Sequence, residues 1–312
     1  MAVLIIGGTG FIGARLAERL VRRGEKVICF DLYPAPEKVS HLGDRAKVVT
    51  GDITRIEDII AAIREFRVER IVNLAYMLGP ESEANPHLAI RVNVLGMNNV
   101  FESARLMGIQ RVVYASSIAV YGLQSSFGER PVVETDYCYP TMTYGAHKLW
   151  NEFMAKKYME RYGMTIPGLR IAVVGGPGRK TGLSAWASSY ADGPALGKPV
   201  EIPFRSNQRT LITYVDDAAE IFTRFCFAET LKHPVYNSCA YAVSLQELAD
   251  AVKKFLPEAK IEFNEKAPDQ PLIYNWSSER LEKELDFKLP PLEEMVRKHI
   301  NEVRRSAGLT AI

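Results

Sequence analysis

The segment Gly7-Gly8-Thr9-Gly10-Phe11-Ile12-Gly13, directly after the apolar run at 2–6, limits this chain more than any other feature. Five apolar, partly β-branched residues are too few for a helix and suit a buried parallel strand. The chain must then turn at Gly7, where the absence of a Cβ permits the bend. Gly10 lets the backbone approach a pyrophosphate, and Gly13 lets the next helix pack against the sheet. Phe11 and Ile12 open that helix, whose N-terminus points at the phosphates. Its apolar residues Leu16, Leu20 and Val21 keep helical spacing, and Gly24 stops it. A second strand at 26–30 ends at Asp31, about twenty residues past the glycines, where a carboxylate accepts hydrogen bonds from a ribose 2′-hydroxyl and repels a 2′-phosphate. The spacing therefore predicts a dinucleotide site that prefers NAD to NADP.

A second motif supplies chemistry. Tyr144 and Lys148 lie four residues apart, one turn of a helix expected over 140–162, and so face one cleft. An isolated phenol is a poor base near neutrality, but an adjacent ammonium and the positive charge of a bound nicotinamide favour phenolate. Tyr144 then takes a proton from a substrate alcohol as hydride leaves its carbon. Ser117, on a loop after a strand at 111–115, hydrogen-bonds the same oxygen, and Lys148 also holds the nicotinamide ribose. Strands at 47–49 and 70–74 and helices at 56–66 and 85–106 fill the interval. This alternation predicts a parallel sheet covered on both faces. Length and composition, 312 residues with 47% hydrophobic, allow a large core, and a net charge of +2 calls for no nucleic-acid partner. No membrane span or cleavable leader is apparent, so the expected location is the cytoplasm. The four cysteines and five histidines are scattered, predicting neither metal nor disulfide.

These landmarks resemble the extended short-chain dehydrogenase/reductase family, which includes nucleotide-sugar epimerases, dehydratases and dehydrogenases. The resemblance runs through Gly7-x-x-Gly10-x-x-Gly13, Asp31, Asp52-Ile53, Leu74-Ala75-Tyr76, Asn93 in a Val-Asn-Val-x-Gly string, Ser116-Ser117-x-x-Val120-Tyr121-Gly122 and Tyr144-x-x-x-Lys148. It implies Ser117, Tyr144 and Lys148 as the catalytic set. It also implies cofactor contacts from Asp52, Ile53, Leu74, Ala75, Tyr76 and Asn93, besides the glycine loop. The implied fold is α/β, a Rossmann-type doubly wound parallel sheet with a smaller, discontinuous C-terminal lobe that binds substrate. Residues 1–174, joined again by 211–240, form the NAD-binding domain; 175–210 and 241–312 form the lobe. A homodimer paired through the helices near Asn93 and Tyr144 is a further implication.

Departures from the family pattern narrow the function. Family dehydratases carry an Asp-Glu pair after the catalytic hydroxyl, whereas Ile118-Ala119 stands here. Nucleotide-sugar members place Leu-Arg-x-x-Asn before Gly-Pro, with the Asn near the substrate diphosphate; here Val173 replaces it. Their diphosphate Arg falls at Thr210, and Arg209 is one residue off, which in an extended strand points to the other face unless a bulge intervenes. Arg179 and Lys180, in a Gly-rich loop, together with Arg209, form instead a set suited to a carboxylate or phosphate. Met77 suggests one apolar wall. The reading is an NAD-dependent oxidoreductase acting on a secondary alcohol of a small, polyhydroxylated, sugar-acid-like substrate. The alternatives are a nucleotide-sugar 4-epimerase with tightly bound NAD and, from another class, a noncatalytic NAD-binding protein.

Overall fold

A computed structural model describes residues 1–179 and 184–312. The first half alternates as expected: β1 (Ala2–Ile6), α1 (Phe11–Arg22), β2 (Lys26–Asp31), β3 (Ala46–Thr50), α2 (Ile56–Phe66) and β4 (Arg70–Asn73). Then come α3 (Gly79–Ala84), α4 (Pro86–Ala89), a π-helical stretch (Ile90–Gly96), α5 (Met97–Leu106), β5 (Arg111–Ser117), α6 (Thr143–Tyr162) and β6 (Gly168–Ile171). The second half holds β7 (Val173–Gly175), α7 (Trp186–Ala195), β8 (Val200–Ile202), β9 (Arg209–Tyr214), α8 (Val215–Phe227) and β10 (Val235–Asn237). It closes with β11 (Tyr241–Ser244), α9 (Leu245–Lys253), β12 (Ile261–Phe263), α10 (Glu279–Leu285) and α11 (Leu292–Ser306).

Seven strands form one parallel sheet in the order β10-β6-β5-β4-β1-β2-β3. Strand side chains alternate between faces, so β1 and β2 divide their residues between two cores. Val3, Ile5, Val27 and Cys29 meet Leu16 and Leu20 of α1 and Phe222 of α8. Leu4, Ile6, Ile28 and Phe30 meet Ile59 of α2, Phe101 of α5 and Tyr158 of α6. Both faces are thus dry, which is why these strands read as continuous apolar runs. Register decides the rest. Ile6 pairs with both Phe30 and Asn73, so Gly7, Asp31 and Leu74 lie level at one end of the strands, beside the point where strand order reverses.

The structure departs from the sequence expectations at several places. Residues 168–174, inside the segment assigned to the NAD-binding domain, divide between two sheets: β6 joins the large sheet, while β7 pairs with β9 in a three-stranded sheet β11-β9-β7. Strand β9 therefore lies outside the large sheet, whereas α8 and β10, which follow it, return to the large sheet. The helix expected over 85–106 contains a π-helical turn around Asn93. Ser117 ends β5 instead of standing on a loop, and α6 starts at Thr143, because Pro140 and Thr141 precede its first turn. Helix α7 lies within 175–210, with Pro194 near its end.

Candidate active site

The glycine loop is built for close approach. Gly7 takes φ +85°, a conformation side chains disfavour, and its N–H donates to Phe30 O at 2.8 Å. A Cβ on Gly13 would collide with the Gly7 carbonyl, so only glycine lets α1 start there. Gly7, Gly10, Phe11, Ile12 and Gly13 line a cleft of about 1110 Å³ that continues past Leu74 and Tyr76 to Ser117 and Tyr144. Asp31 stands above the loop, where Thr9 donates its N–H at 2.7 Å and its hydroxyl at 2.8 Å to one carboxylate oxygen, Oδ2. Burial pushes the Asp31 carboxyl up and the two Thr9 bonds pull it down. A glycine cradle at a helix start, with a carboxylate at the end of the next strand, fits a dinucleotide.

The remaining residues expected at the cofactor divide into two groups. Leu74 and Tyr76 are on the cleft wall, and Ala75 between them donates its N–H to Asn73 Oδ1 at 3.1 Å. Asp52 closes a turn ahead of α2: its Oδ1 accepts Thr54 N–H at 2.8 Å, and its own N–H donates to Asp58 at 3.0 Å. Ile53 is buried, its carbonyl accepting from Asn99 at 3.1 Å. Asn93 sits behind the cleft wall with its amide committed: Oδ1 accepts Met77 N–H at 2.7 Å, and Nδ2 donates to Met77 O at 3.1 Å and Ser82 Oγ at 3.2 Å. The π-helical turn places Asn93 there, and the effect is to fix the segment that follows Tyr76.

Ser117, Tyr144 and Lys148 come together at the end of β5. The Ser117 hydroxyl accepts Ala119 N–H at 3.1 Å, and Ser117 lines the cleft together with Tyr144. Lys148 is buried, donates to Ala115 O at 2.6 Å, and lies 3.3 Å from the centroid of the Tyr76 ring and 5.4 Å from that of Tyr144. Burial pushes the Tyr144 phenol well up and the neighbouring Tyr76 adds to this, while Ser117 and the Arg179 charge act the other way. Burial pushes the Lys148 ammonium well down, opposed by Glu152.

Residues expected at the substrate are less concentrated. Arg179 enters the cleft from the loop after β7, its Nη1 donating to Val174 O at 3.1 Å and its guanidinium 5.8 Å from the Phe11 ring centroid. Lys180 lies outside the described residues. Arg209 is directed away from the cleft: it stacks 4.6 Å over the Tyr274 ring and pairs with Glu129 at 3.3 Å. The β9–β11 register runs unbroken from Arg209 to Ile212, so no bulge corrects the one-residue offset, and Thr210 takes the buried face. Met77 is held by its backbone, and the wall beside it is formed by Leu78, Gly79 and Pro80. Val173 lines the cleft where a carboxamide was sought.

Sequence reasoning missed two sets. Met142, Trp186, Phe204 and residues 268–272 complete the cleft, brought in from distant elements without local pattern. Glu152 is the other. It is buried, accepts Ser116 Oγ at 2.5 Å, and grips Arg170 through Nε at 2.9 Å and Nη2 at 2.7 Å. Arg170 in turn donates to the Tyr121 hydroxyl at 2.6 Å, and Tyr121 to Asn237 at 2.7 Å. The signal was present: Glu152 continues the four-residue stripe of Tyr144 and Lys148.

Comparison with known proteins shows the family. The NAD dependent epimerase/dehydratase family matches residues 3–238. The chain is 29% identical to the mitochondrial L-threonine 3-dehydrogenase of Bos taurus over 88% of this chain and 74% of that protein. It is 34% identical to the D-erythronate dehydrogenase of Cupriavidus necator over 62% of this chain and 60% of the relative. Among solved structures, the UDP-glucose 4-epimerase of Thermus thermophilus in complex with NAD superposes with a TM-score of 0.84 and 28% identity, covering 97% and 99% of the two chains.

Proposed function

Because the chain belongs to the NAD-dependent epimerase/dehydratase family, we propose that it is an NAD-dependent dehydrogenase of a small secondary alcohol bearing a carboxylate. NAD, when bound, supplies the hydride acceptor. The glycine loop would hold its pyrophosphate and Asp31 its adenosine ribose; Tyr76 and Lys148 stand where the cleft reaches the catalytic group. Ser117 hydrogen-bonds the substrate oxygen and holds it beside Tyr144, which takes the hydroxyl proton. Lys148 and Arg179 supply the positive field that a buried phenolate needs.

The observation that carries the substrate reading is Arg179, a guanidinium in the cleft close enough to Tyr144 and Tyr76 to act on both phenols. A carboxylate is the natural partner of such a group in low-dielectric surroundings. The surroundings are otherwise largely apolar: Leu78, Pro80, Ile118, Ala119, Met142 and Trp186 line the same space. A short hydroxy acid or hydroxy amino acid matches these walls better than the polyhydroxylated chain expected from sequence, which would leave several hydroxyls without partners. The nucleotide-sugar epimerase is the second reading. It is favoured by the likeness to the Thermus epimerase and disfavoured by Val173 and by the outward Arg209.

Incubation with NAD and short-chain 3-hydroxy acids, hydroxy amino acids, sugar acids and UDP-sugars separates these readings. Accumulation of reduced cofactor with a free acid supports the dehydrogenase; an epimerised nucleotide sugar without reduced cofactor replaces it with the second reading. Tyr144→Phe abolishes turnover while NAD affinity stays within about threefold, since the variant removes a proton acceptor and little binding.

The exposed face shared by α6 and the helices before it carries Leu88, Ile90, Leu95, Trp150 and Phe153. Large exposed apolar side chains on neighbouring helices support a homodimer formed through them.

A further inference from the structure

Helix α7 borders the cleft through Trp186 and lies against α11, where the Tyr190 hydroxyl is 3.7 Å from Met295 Sδ. One contact between these helices is polar. His299 of α11 is fully buried, and its Nε2 lies 2.7 Å from Asp192 Oδ1 of α7. A carboxylate only accepts, so Nε2 carries the hydrogen. The imidazole is otherwise held by packing: the Tyr190 ring centroid is 5.5 Å away at 90°, the Tyr214 ring 5.8 Å away, and Nδ1 has no hydrogen-bond partner among the described residues. Asp192 is thus the group that gives a histidine a reason to be in this interior. Its second oxygen, Oδ2, accepts the Gly178 N–H at 3.2 Å. Gly178 stands at φ +86° in the bend that delivers Arg179 to the cleft, and Arg179 Nη1 donates to Val174 O at 3.1 Å. The bend is therefore tied at its backbone by Asp192 and at the guanidinium by Val174.

We propose that Asp192 is a positioning residue for substrate recognition: His299 fixes one of its carboxylate oxygens, the other holds the Gly178 N–H, and the Arg179 guanidinium is thereby kept in the cleft. The inference rests on the reading of Arg179 as the partner of a substrate carboxylate. A long cationic side chain binds a carboxylate well only when its base is already placed, because ordering a loose turn at the moment of binding subtracts from the affinity. A backbone N–H held by a carboxylate is a charge-assisted bond and supplies that placement. The anchor comes from α7 and α11, so the last helix of the chain bears on which substrate is held. The chemistry stands apart from it, since Ser117, Tyr144 and Lys148 belong to β5 and α6, which take no part in these hydrogen bonds. Loss of Asp192 therefore acts on binding of the acid and not on proton or hydride transfer.

The test is steady-state kinetics of the NAD-saturated protein with 3-hydroxybutyrate and threonine as probes, for the wild type, Asp192→Ala, Arg179→Ala and the double variant, with NAD affinity and circular dichroism checked on each. Asp192→Ala is expected to raise KM for the carboxylate probes roughly tenfold while kcat stays within about twofold and NAD affinity is unchanged. In the Arg179→Ala background the same substitution adds nothing, because the group it positions is gone. Asp192→Glu keeps the charge and alters the reach to Gly178; it raises the same KM and carries the test if the Ala variant loses its fold. An unchanged KM in the Asp192 variants, a fall in kcat with KM unmoved, or a full additional effect on top of Arg179→Ala overturns the proposal and leaves the Arg179 reading standing. No turnover of either probe, or an Arg179→Ala variant with unchanged KM, overturns that reading and the inference with it.

Discussion

Asp31 shows how much one side chain can decide. Thr9 uses one carboxylate oxygen, which fixes the group; in the function proposed above, Oδ1 is the oxygen that would take a ribose hydroxyl. Replacing Asp31 with Ala is expected to weaken NAD binding about tenfold, the scale of one charge-assisted hydrogen bond, and to narrow the gap to NADP; parallel calorimetric titrations of both cofactors check this. Asp217 is a cost of another kind. Its Oδ2 is buried without a hydrogen-bond partner among the described residues, and burial pushes its carboxyl from 3.8 to about 6. The folded state thus binds this proton more tightly than the unfolded state does. Stability is lost as pH rises from about 4 to about 6 and stays lower above that range. Asp217→Asn should raise stability by about 1–3 kcal/mol at pH 8 and change little at pH 4, as read from urea denaturation at the two values. Asp31 was legible from its distance to the glycines; the burial of Asp217 was not, because the elements that cover it, such as the one carrying Lys298, come together only by folding.

At the scale of elements, α6 does more than carry a motif. Tyr144, Lys148 and Glu152 descend one stripe, and the last of them meets Arg170 of β6 in a buried bidentate pair whose side chains are 7% and 4% exposed. The pair ties the catalytic helix to the sheet directly below Ser116. Glu152→Ala should cost about 3–5 kcal/mol, because it leaves Arg170 charged and unpaired in the interior; thermal and chemical denaturation measure it, and a loss under about 1 kcal/mol would contradict this account. Elements with a strong local period were read closely, as with α2 at 56–66. The split between β6 and β7 was not, since no turn residue separates Ile171 from Val173 and the break at Ala172 follows from a change of sheet. The π-helical turn at Asn93 was equally silent, set by what the amide grips and not by propensity.

For the whole molecule, the apolar face around Trp150 and Phe153, which are 50% and 53% exposed, leads to a prediction about assembly. Trp150→Glu should convert a dimer to a monomer in sedimentation velocity without altering the helical content, whereas a wild type that sediments as a monomer at micromolar concentration removes the dimer proposal. Across the described residues no helix is long and apolar enough to cross a membrane. The sequence by itself determined the parts whose information is local: the glycine turn, the carboxylate closing β2, the helical spacing of Tyr144 and Lys148, and the alternation that requires a parallel sheet. Tertiary structure decided which side of β9 faces the cleft, what stands beside Tyr144, and which distant residues close the pocket. The physical reason is that spacing within one element fixes direction along that element, whereas the partners of a side chain depend on register and packing between elements, which short-range pattern does not encode.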